Sequence, residues 1–306
     1  MSEFDVVIVG AGPAGITAGI YLARAGRACV IVEAGVPGGQ VFINHLVENY
    51  PGFPEAIKGS ELAERMEKQV TRLGVEIKTS SVSSIKKEGE HFIVEGFNLN
   101  VKSKAVIFSA GSKPKSLGIP GEEKLFGRGV SYCSTCDGMF FKGKDVVVIG
   151  GGNSALHGAE YLEKICKSVT LVHRRDSFRG DLLLVDRLKK SSNVKMALSK
   201  EVLEVVGDKK VESIKLKDVK TGITEELSCD GVFIYVGYQP QSELLKGLCD
   251  LDEYGYVIAD ETMSSSMPGL YVAGDVVKKH HRQIITATYD GCVAALSLNG
   301  YLNKNK

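Results

Sequence analysis

The sequence has almost no excess of charge of either sign. Its 306 residues include 38 Lys and Arg and 37 Asp and Glu, for a net charge of +1. That balance leaves no electrostatic footprint for nucleic acid or for an anionic membrane, so neither is expected as a partner. Positive charge is also missing ahead of the uncharged stretch 6–23, where Glu3 and Asp5 stand instead. A secretion signal would carry Lys or Arg there, and we therefore expect a cytoplasmic protein.

Cysteine is sparse, and the chain holds a single pair of closely spaced cysteines. An odd total of seven, without a secretion signal, argues against a disulfide scaffold. Five of them are predicted to be small, mostly buried apolar side chains: Cys29, Cys166, Cys229, Cys249 and Cys292.

The remaining two, Cys133 and Cys136, form the motif "CSTC". On spacing alone the pair could be half of a zinc site, a structural disulfide or a dithiol that cycles. No further ligands follow at zinc-finger spacing, and we expect no metal. A disulfide across two residues closes too small a loop to stabilise the fold much.

The chain repeats itself at a shift of 140 positions. "FDVVIVGAGPAG" at 4–15 resembles "KDVVVIGGGNSA" at 144–155. Each copy reads as a buried strand, a glycine-rich turn and a helix, followed by a second strand that ends at Glu33 or at His173. Two such units with matching registers predict two dinucleotide-binding sites, with the pyrophosphates at the helix N-termini. At 306 residues the chain is long enough for two domains.

The two copies differ at the end of the second strand. Glu33 in the first copy can accept hydrogen bonds from a ribose hydroxyl. The second copy has "HRRDSFR" at 173–179, whose cations suit a 2′-phosphate and hence NADP. Two dinucleotides and a dithiol suggest an electron path from a nicotinamide through a flavin to sulfur. Periodicity does not tell which copy holds the flavin.

At this point the sequence resembles the low-molecular-weight, bacterial and archaeal thioredoxin reductases of the pyridine nucleotide-disulfide oxidoreductase family, over essentially its whole length. The resemblance rests on these segments in this order: "GAGPAG" at 10–15, "GGQ" at 38–40, "ENYPG" at 48–52, "CSTCDG" at 133–138, "GGGNSA" at 150–155, "HRRDSFR" at 173–179, "AGD" at 273–275 and "RQ" at 282–283.

The resemblance implies an α/β fold with two Rossmann-like domains. The FAD-binding domain would comprise 1–114 and 243–306, and the NADPH-binding domain, 115–242, would be inserted into it. FAD contacts are implied at Gly10, Gly12, Pro13, Ala14, Gly15, Glu33, Ala34, Gly39, Gln40, Asn49, Gly111, Gly274, Asp275, Arg282 and Gln283. NADPH contacts are implied at Gly150, Gly152, Asn153, Ser154, Ala155, His173, Arg174, Arg175 and Arg179.

The resemblance also implies that the "CSTC" pair is a redox-active disulfide. Cys136 would face the flavin, Cys133 would attack the substrate disulfide, and Asp137 would act as proton donor or acceptor. The implied enzyme is a homodimer that transfers electrons from NADPH through FAD to thioredoxin or a related small redoxin.

Some features depart from the family pattern or leave other functions open. Ser134 stands where Ala is usual, and "HGAEYL" at 157–162 lacks the paired acids often seen in that helix. A ferredoxin-type NADP reductase would lack the dithiol, and the reductase of a peroxide-reducing system would carry an added N-terminal redox domain. A flavin-containing redox sensor that binds partners without turnover remains an alternative.

Overall fold

The computed structural model describes residues 2–42, 47 and 49–304, and Cys136 by its backbone alone. The chain divides into two compact units. The first comprises Met1–Lys113 and Gln239–Lys306, and the second comprises Pro114–Tyr238. Chain segment 114–238 is therefore inserted into the first unit.

The first unit is built on a seven-stranded mixed sheet. Its strands are β1 (Ser2–Val9), β2 (Cys29–Glu33), β3 (Glu76–Thr79), β4 (Val82–Glu88), β5 (His91–Gly96), β6 (Leu99–Phe108) and β17 (Leu270–Val272). Their order is β3-β2-β1-β6-β5-β4, and β17 also pairs with β6. Strands β1, β2, β3, β6 and β17 pair in parallel, whereas β4, β5 and β6 form an antiparallel meander. The helices of this unit are α1 (Pro13–Arg24), α2 (Gly59–Thr71) and α6 (Ile284–Lys304).

Both faces of β1, in the middle of the first sheet, are buried, as expected for its apolar run. Val6 and Ile8 pack in a cluster with side chains of the three helices, and Val7 and Val9 pack in a second cluster on the opposite face. Burial of such side chains contributes about 1.5–3 kcal/mol each. The parallel strands thereby hold the carboxyl ends of β1 and β2 at one edge, next to the start of α1.

The second unit repeats this arrangement with a smaller parallel sheet. Its strands are β8 (Val130–Ser131), β9 (Asp145–Gly150), β10 (Ser168–His173), β11 (Val194–Leu198), β12 (Lys200–Val206), β13 (Ser213–Asp218), β14 (Thr224–Ser228) and β15 (Gly231–Tyr235). The parallel order is β11-β10-β9-β15-β8, and β12, β13 and β14 form a separate antiparallel sheet. The helices are α3 (Ser134–Asp137), α4 (Asn153–Glu163) and α5 (Leu182–Lys190).

Two short strands lie where the chain passes between the units. They are β7 (Ser112–Pro114) and β16 (Tyr238–Pro240), which pair with each other. Three short 3₁₀ helices complete the described elements, at Gly39–Val41, Gly138–Phe141 and Glu243–Leu245. No helix in the described part of the chain is both long and apolar enough to cross a bilayer.

Candidate active site

The first glycine turn joins β1 to α1, and its glycines are required by close backbone contacts. Gly10 has φ +102°, and a Cβ there would lie 2.5 Å from the Ser109 carbonyl oxygen. A Cβ at Gly15 would lie 1.9 Å from the Gly10 carbonyl oxygen. A Cβ at Gly12 would have no neighbour within 4 Å, and no side chain caps the helix that follows. The turn thus offers open backbone at a helix N-terminus, where a pyrophosphate binds well.

Glu33, at the end of β2, points to this turn. Its Oε2 accepts a hydrogen bond from the Ala11 amide at 2.7 Å, and its Oε1 accepts one from the Gly35 amide at 2.9 Å. A carboxylate can accept about four hydrogen bonds, so Glu33 keeps free acceptor capacity for ribose hydroxyls.

A buried charge network follows β17 in the same unit. Lys279 Nζ lies 2.7 Å from Asp290 Oδ2 and 3.4 Å from Asp275 Oδ1. Asp290 Oδ2 also accepts from the Gly274 amide at 3.0 Å. Burial raises the pKa of both Asp275 and Asp290, and the nearby ammonium of Lys279 opposes that rise. Arg282 Nε is buried and has no hydrogen-bond partner within the described chain. Asp275 Oδ1 is also buried without a hydrogen bond there, although it forms the 3.4 Å ion pair with Lys279.

These two atoms without hydrogen bonds, called orphaned below, show whether the residues around them fit a flavin nucleotide. A buried polar atom without a partner costs about 1–3 kcal/mol, so a ligand that pairs with it is favoured. The orphaned atoms of Asp275 and Arg282 are of the kind that ribitol hydroxyls and phosphates satisfy. The Arg282 guanidinium also stacks 4.1 Å from the ring centre of Tyr256, which fixes its orientation. The residues therefore fit FAD.

Other predicted FAD contacts belong to this unit too. Asn49 Nδ2 donates to Gln283 Oε1 at 3.1 Å, so the structure brings these two together. Gln40 Nε2 lies 3.5 Å from the Ser112 carbonyl oxygen. Glu48 of the "ENYPG" segment lies outside the described residues.

The second glycine turn joins β9 to α4 in the second unit. A Cβ at Gly150 would lie 2.4 Å from the Tyr235 carbonyl oxygen and 2.8 Å from Ala155 Cβ, whereas Gly152 has no neighbour within 4 Å. No side chain caps α4 at Gly152. The local geometry repeats that of the first turn. The side chain of Asn153 already has a hydrogen-bond partner within the protein, since its Oδ1 accepts from the Asp181 amide at 2.7 Å.

The basic segment after β10 separates into three exposed arginines and one buried histidine. Arg174, Arg175 and Arg179 are exposed and can meet a phosphate. His173 stacks on Phe178 at 5.7 Å between ring centres, and its Nε2 is buried without a hydrogen-bond partner in the described chain. Burial, and then the three arginines, lower its pKa, so the imidazole is uncharged at neutral pH. The positive charge predicted for this segment thus comes from the arginines.

The cysteine motif lies between β8 and the 3₁₀ helix that follows α3. Cys133 is disulfide-bonded, and its amide donates to Ser131 Oγ at 3.0 Å. The Ser131 hydroxyl in turn donates to Asp137 Oδ2 at 2.6 Å. Asp137 is therefore held beside the motif, as general acid-base work requires. The side chain of Cys136 lies outside the described part of the structure.

The five other cysteines are free thiols. Burial raises the pKa of Cys29, Cys166 and Cys249 to about 11 and that of Cys229 to about 12. They stay protonated and unreactive at neutral pH. Cys29, Cys166 and Cys229 are buried as predicted, whereas Cys249 and Cys292 are only partly buried. Among the described residues, no cluster of His, Cys, Asp and Glu is arranged to hold a metal ion.

Sequence reasoning missed several residues that complete these sites. Lys279 and Asp290 carry the charge network beside Asp275, but no local pattern links them. Tyr235, whose hydroxyl contacts Ser134, was missed because the two lie 101 positions apart. Ser131 precedes Cys133 by only two residues, so a contact between its hydroxyl and the motif could have been predicted from the sequence.

Two dinucleotide turns, residues whose chemistry fits a flavin nucleotide, and a disulfide define a dinucleotide-dependent disulfide oxidoreductase. A sequence comparison agrees, because residues 4–291 match the model of the pyridine nucleotide-disulphide oxidoreductase family. The chain belongs to this family.

Similar proteins include several named thioredoxin reductases. The Bacillus subtilis thioredoxin reductase is 42% identical over 308 residues, which cover 99% of this chain and 97% of that protein. A protein of 34.2 kDa in the rubredoxin operon of Clostridium pasteurianum is also 42% identical, with coverage of 98% and 97%.

Solved structures are similar over the full length as well. A crystal structure of Lactococcus lactis thioredoxin reductase has a TM-score of 0.92 at 40% identity and covers 98% of this chain and 99% of that one. The T. acidophilum thioredoxin reductase has a TM-score of 0.90 at 43% identity, with complete coverage of both chains. The expected α/β fold with two dinucleotide-binding domains and the resemblance to thioredoxin reductases are confirmed.

Proposed function

We propose that the protein is a thioredoxin-disulfide reductase that carries electrons from NADPH through FAD to thioredoxin or a related small redoxin. The observation that carries the proposal is the disulfide at Cys133, in a chain whose five cysteines outside the motif are free. Full-length relatives named thioredoxin reductase support the same function.

FAD and NADPH are the cofactors of thioredoxin reductases in this family. We assign FAD to the first unit, supported by Glu33 at the turn and by the orphaned atoms of Asp275 and Arg282. We assign NADPH to the second unit, supported by the exposed Arg174 and Arg175 after β10. The remaining contacts are those given by the resemblance. The domain bounds that we propose from the resemblance are 1–114 with 243–306 for FAD, and 115–242 for NADPH.

The bound flavin supplies the link between a hydride donor and a disulfide, since it can take up and release two electrons. The protein's own thiols do the rest. We assign Cys136 as the disulfide partner of Cys133. After reduction, the Cys133 thiolate attacks the partner disulfide, and a mixed disulfide forms while one partner thiolate leaves. The Cys136 thiolate then attacks Cys133 Sγ, which releases the reduced partner and restores the oxidised pair. Asp137 exchanges a proton with the departing thiol.

The decisive experiment is reduction of a panel of redoxins driven by NADPH or by NADH. We expect turnover with NADPH, and none with Cys133→Ser or Cys136→Ser. Cys249→Ser, which removes a free and partly exposed thiol, is the matched control and should keep full activity. A flavin redox sensor would bind partners without steady-state NADPH oxidation, so the absence of turnover with every redoxin would overturn the proposal.

The two motif cysteines should also differ spectroscopically. The resemblance assigns Cys136 as the sulfur that faces the flavin, and under this assignment Cys133→Ser should show a long-wavelength thiolate-to-flavin charge-transfer band. Cys136→Ser should lack that band. Appearance of the band only in Cys136→Ser would reverse the assignment of the two sulfurs.

An apolar surface suited to a protein partner follows the motif directly. Met139 and Phe140, in the 3₁₀ helix after Asp137, are 53% and 74% exposed. We propose that these two adjacent apolar side chains, which directly follow the reactive motif, contact the protein partner. We expect Phe140→Ala to raise the KM for a redoxin and to leave NADPH-driven reduction of a small dye unchanged.

We further propose a homodimer formed through α6. Ile285, Tyr289 and Leu296 are exposed and lie on one stripe of this helix. Tyr21 on α1 is also exposed, and its phenol lies next to the Cys292 side chain of α6, which raises the pKa of Tyr21. An apolar stripe across two packed helices fits a second copy of the same surface. Sedimentation should give a dimer, and Tyr289→Asp should give monomers; an unchanged dimer would place the interface elsewhere.

A cytoplasmic location fits this function. The five free cysteines would be kept reduced there, and NADPH is an intracellular reductant. A net charge of +1 gives no reason to propose a nucleic-acid or membrane partner.

A further inference from the structure

Tyr235 contacts both the cysteine motif and the second glycine turn, although the proposed chemistry does not use it. It is the last residue of β15 and pairs with Gly150 of β9. Its carbonyl oxygen is the atom that leaves no room for a Cβ at Gly150. Its ring lies against α4, where a Cβ at Gly158 would come 2.8 Å from Tyr235 Cε2.

The hydroxyl of Tyr235 makes two hydrogen bonds to Ser134. It accepts from the Ser134 amide at 2.7 Å and donates to Ser134 Oγ at 2.8 Å. Ser134 is only 3% exposed and is the first residue of α3, directly after Cys133. A helix leaves its first amides without intrahelical partners, so the phenol satisfies a donor that would otherwise be unpaired.

Tyr235 is a neutral phenol at any working pH. Burial raises its pKa above the ordinary value of 10.0. It therefore always has a proton to donate to Ser134 Oγ. An Ala at position 134 would offer the amide donor but no side-chain acceptor.

We infer that Tyr235 is a positioning residue that holds the Cys133 disulfide segment against the nucleotide-binding turn. The inference rests on the proposed function. The hydrogen bonds are present in a structure whose Cys133 is disulfide-bonded. The inference includes that the reduced motif makes them less well, so that they favour the oxidised state. In this assignment Tyr235 acts on the motif through its two hydrogen bonds to Ser134.

Equilibration of the holoenzyme with a dithiothreitol redox buffer, followed by alkylation and mass measurement, tests this inference. Tyr235→Phe keeps the ring but removes both hydrogen bonds. We expect the disulfide to become about tenfold easier to reduce, which for a two-electron couple is about 30 mV. Ser134→Ala removes only the Oγ bond and should shift the equilibrium about threefold.

Two controls separate positioning from a general loss of structure. Tyr254→Phe makes the same chemical change at an exposed tyrosine of the first unit and should leave the equilibrium unchanged. In the double variant, the Ser134→Ala change should add nothing to Tyr235→Phe, because its partner is already gone.

Wild-type equilibria in both Tyr235→Phe and Ser134→Ala would overturn the inference, as would shifts that simply add in the double variant. Because the buffer reduces the motif directly, this outcome is independent of the proposed function. That function fails instead if the wild-type enzyme reduces no redoxin.

Discussion

Replacing Lys279 by Met tests the charge network beside the proposed flavin site. The Lys279 ammonium lies 2.7 Å from Asp290 and 3.4 Å from Asp275, and the two side chains of the shorter pair are 16% and 6% exposed. Met preserves much of the aliphatic stem, so the substitution mainly removes the charge. Asp290 then keeps the hydrogen bond from the Gly274 amide but loses its ion pair.

The expected loss of stability is large at neutral pH. Removal of one partner from a buried ion pair costs about 3–5 kcal/mol, and partial exposure of Lys279 favours the lower end, about 3 kcal/mol. The cost depends on pH. Burial raises the pKa of Asp275 and Asp290, and without Lys279 both values rise further. A carboxyl with a higher pKa in the folded chain binds protons more tightly there, so folding gains stability as pH falls. The penalty should therefore shrink from neutral pH toward the ordinary aspartate value of 3.8.

The release of FAD fluorescence during urea unfolding measures this effect in the first unit. Lys279→Met should lower the midpoint at neutral pH, and Lys279→Arg should restore most of it because the cation is kept. Lys278→Met changes the exposed neighbouring lysine and is the matched control. If Lys279→Met and Lys278→Met unfolded alike at neutral pH, or if the difference grew toward acid pH, the reasoning about buried charge would be refuted.

Three further predictions concern the two dinucleotide turns. Gly12→Ala should abolish FAD binding but cost little stability, because the added methyl contacts no protein atom. Gly15→Ala should instead destabilise the fold, because its added methyl clashes with the backbone. FAD titration and unfolding curves separate the two effects. Neutral replacements of Arg174 and Arg175 should raise the NADPH KM about tenfold and leave NADH use unchanged, and an equal loss with both nucleotides would contradict the phosphate assignment. Since the pKa of His173 is lowered below 6.5, its protonation should cost stability as pH falls through that region. His173→Gln should flatten this acid-side slope in unfolding curves.

The sequence predicted the elements around the glycine turns well, because local patterns determine them. The second strands end at Glu33 and His173, as the repeat requires. The apolar run before each turn forms a strand that is buried on both faces, and a short continuous apolar run of this kind is typical of such strands. The charges after β10 were also foreseen, but burial of His173 was not, since it depends on Phe178 and Gly151 packing against the ring.

Contacts between distant segments could not be predicted in this way. Tyr235 and Ser134 meet because β15 pairs with β8, the strand that leads directly into the cysteine motif. Asp290 is one polar residue in a long helix, and its partner Lys279 stands among other basic residues in "KKHHR". Neither position has a local signal, because the pairing is created by tertiary packing. Cys292 was expected to be buried with the apolar run around it, yet it lies on the side of α6 that is partly exposed.

The central claim is that electrons pass from NADPH through the flavin to the motif cysteines. Its most direct test is an anaerobic thiol count by alkylation before and after one addition of NADPH. The account predicts about two new reactive thiols per chain in the holoenzyme, at Cys133 and Cys136, and none in protein stripped of FAD. No new thiols in the holoenzyme, or the same number without FAD, would contradict it.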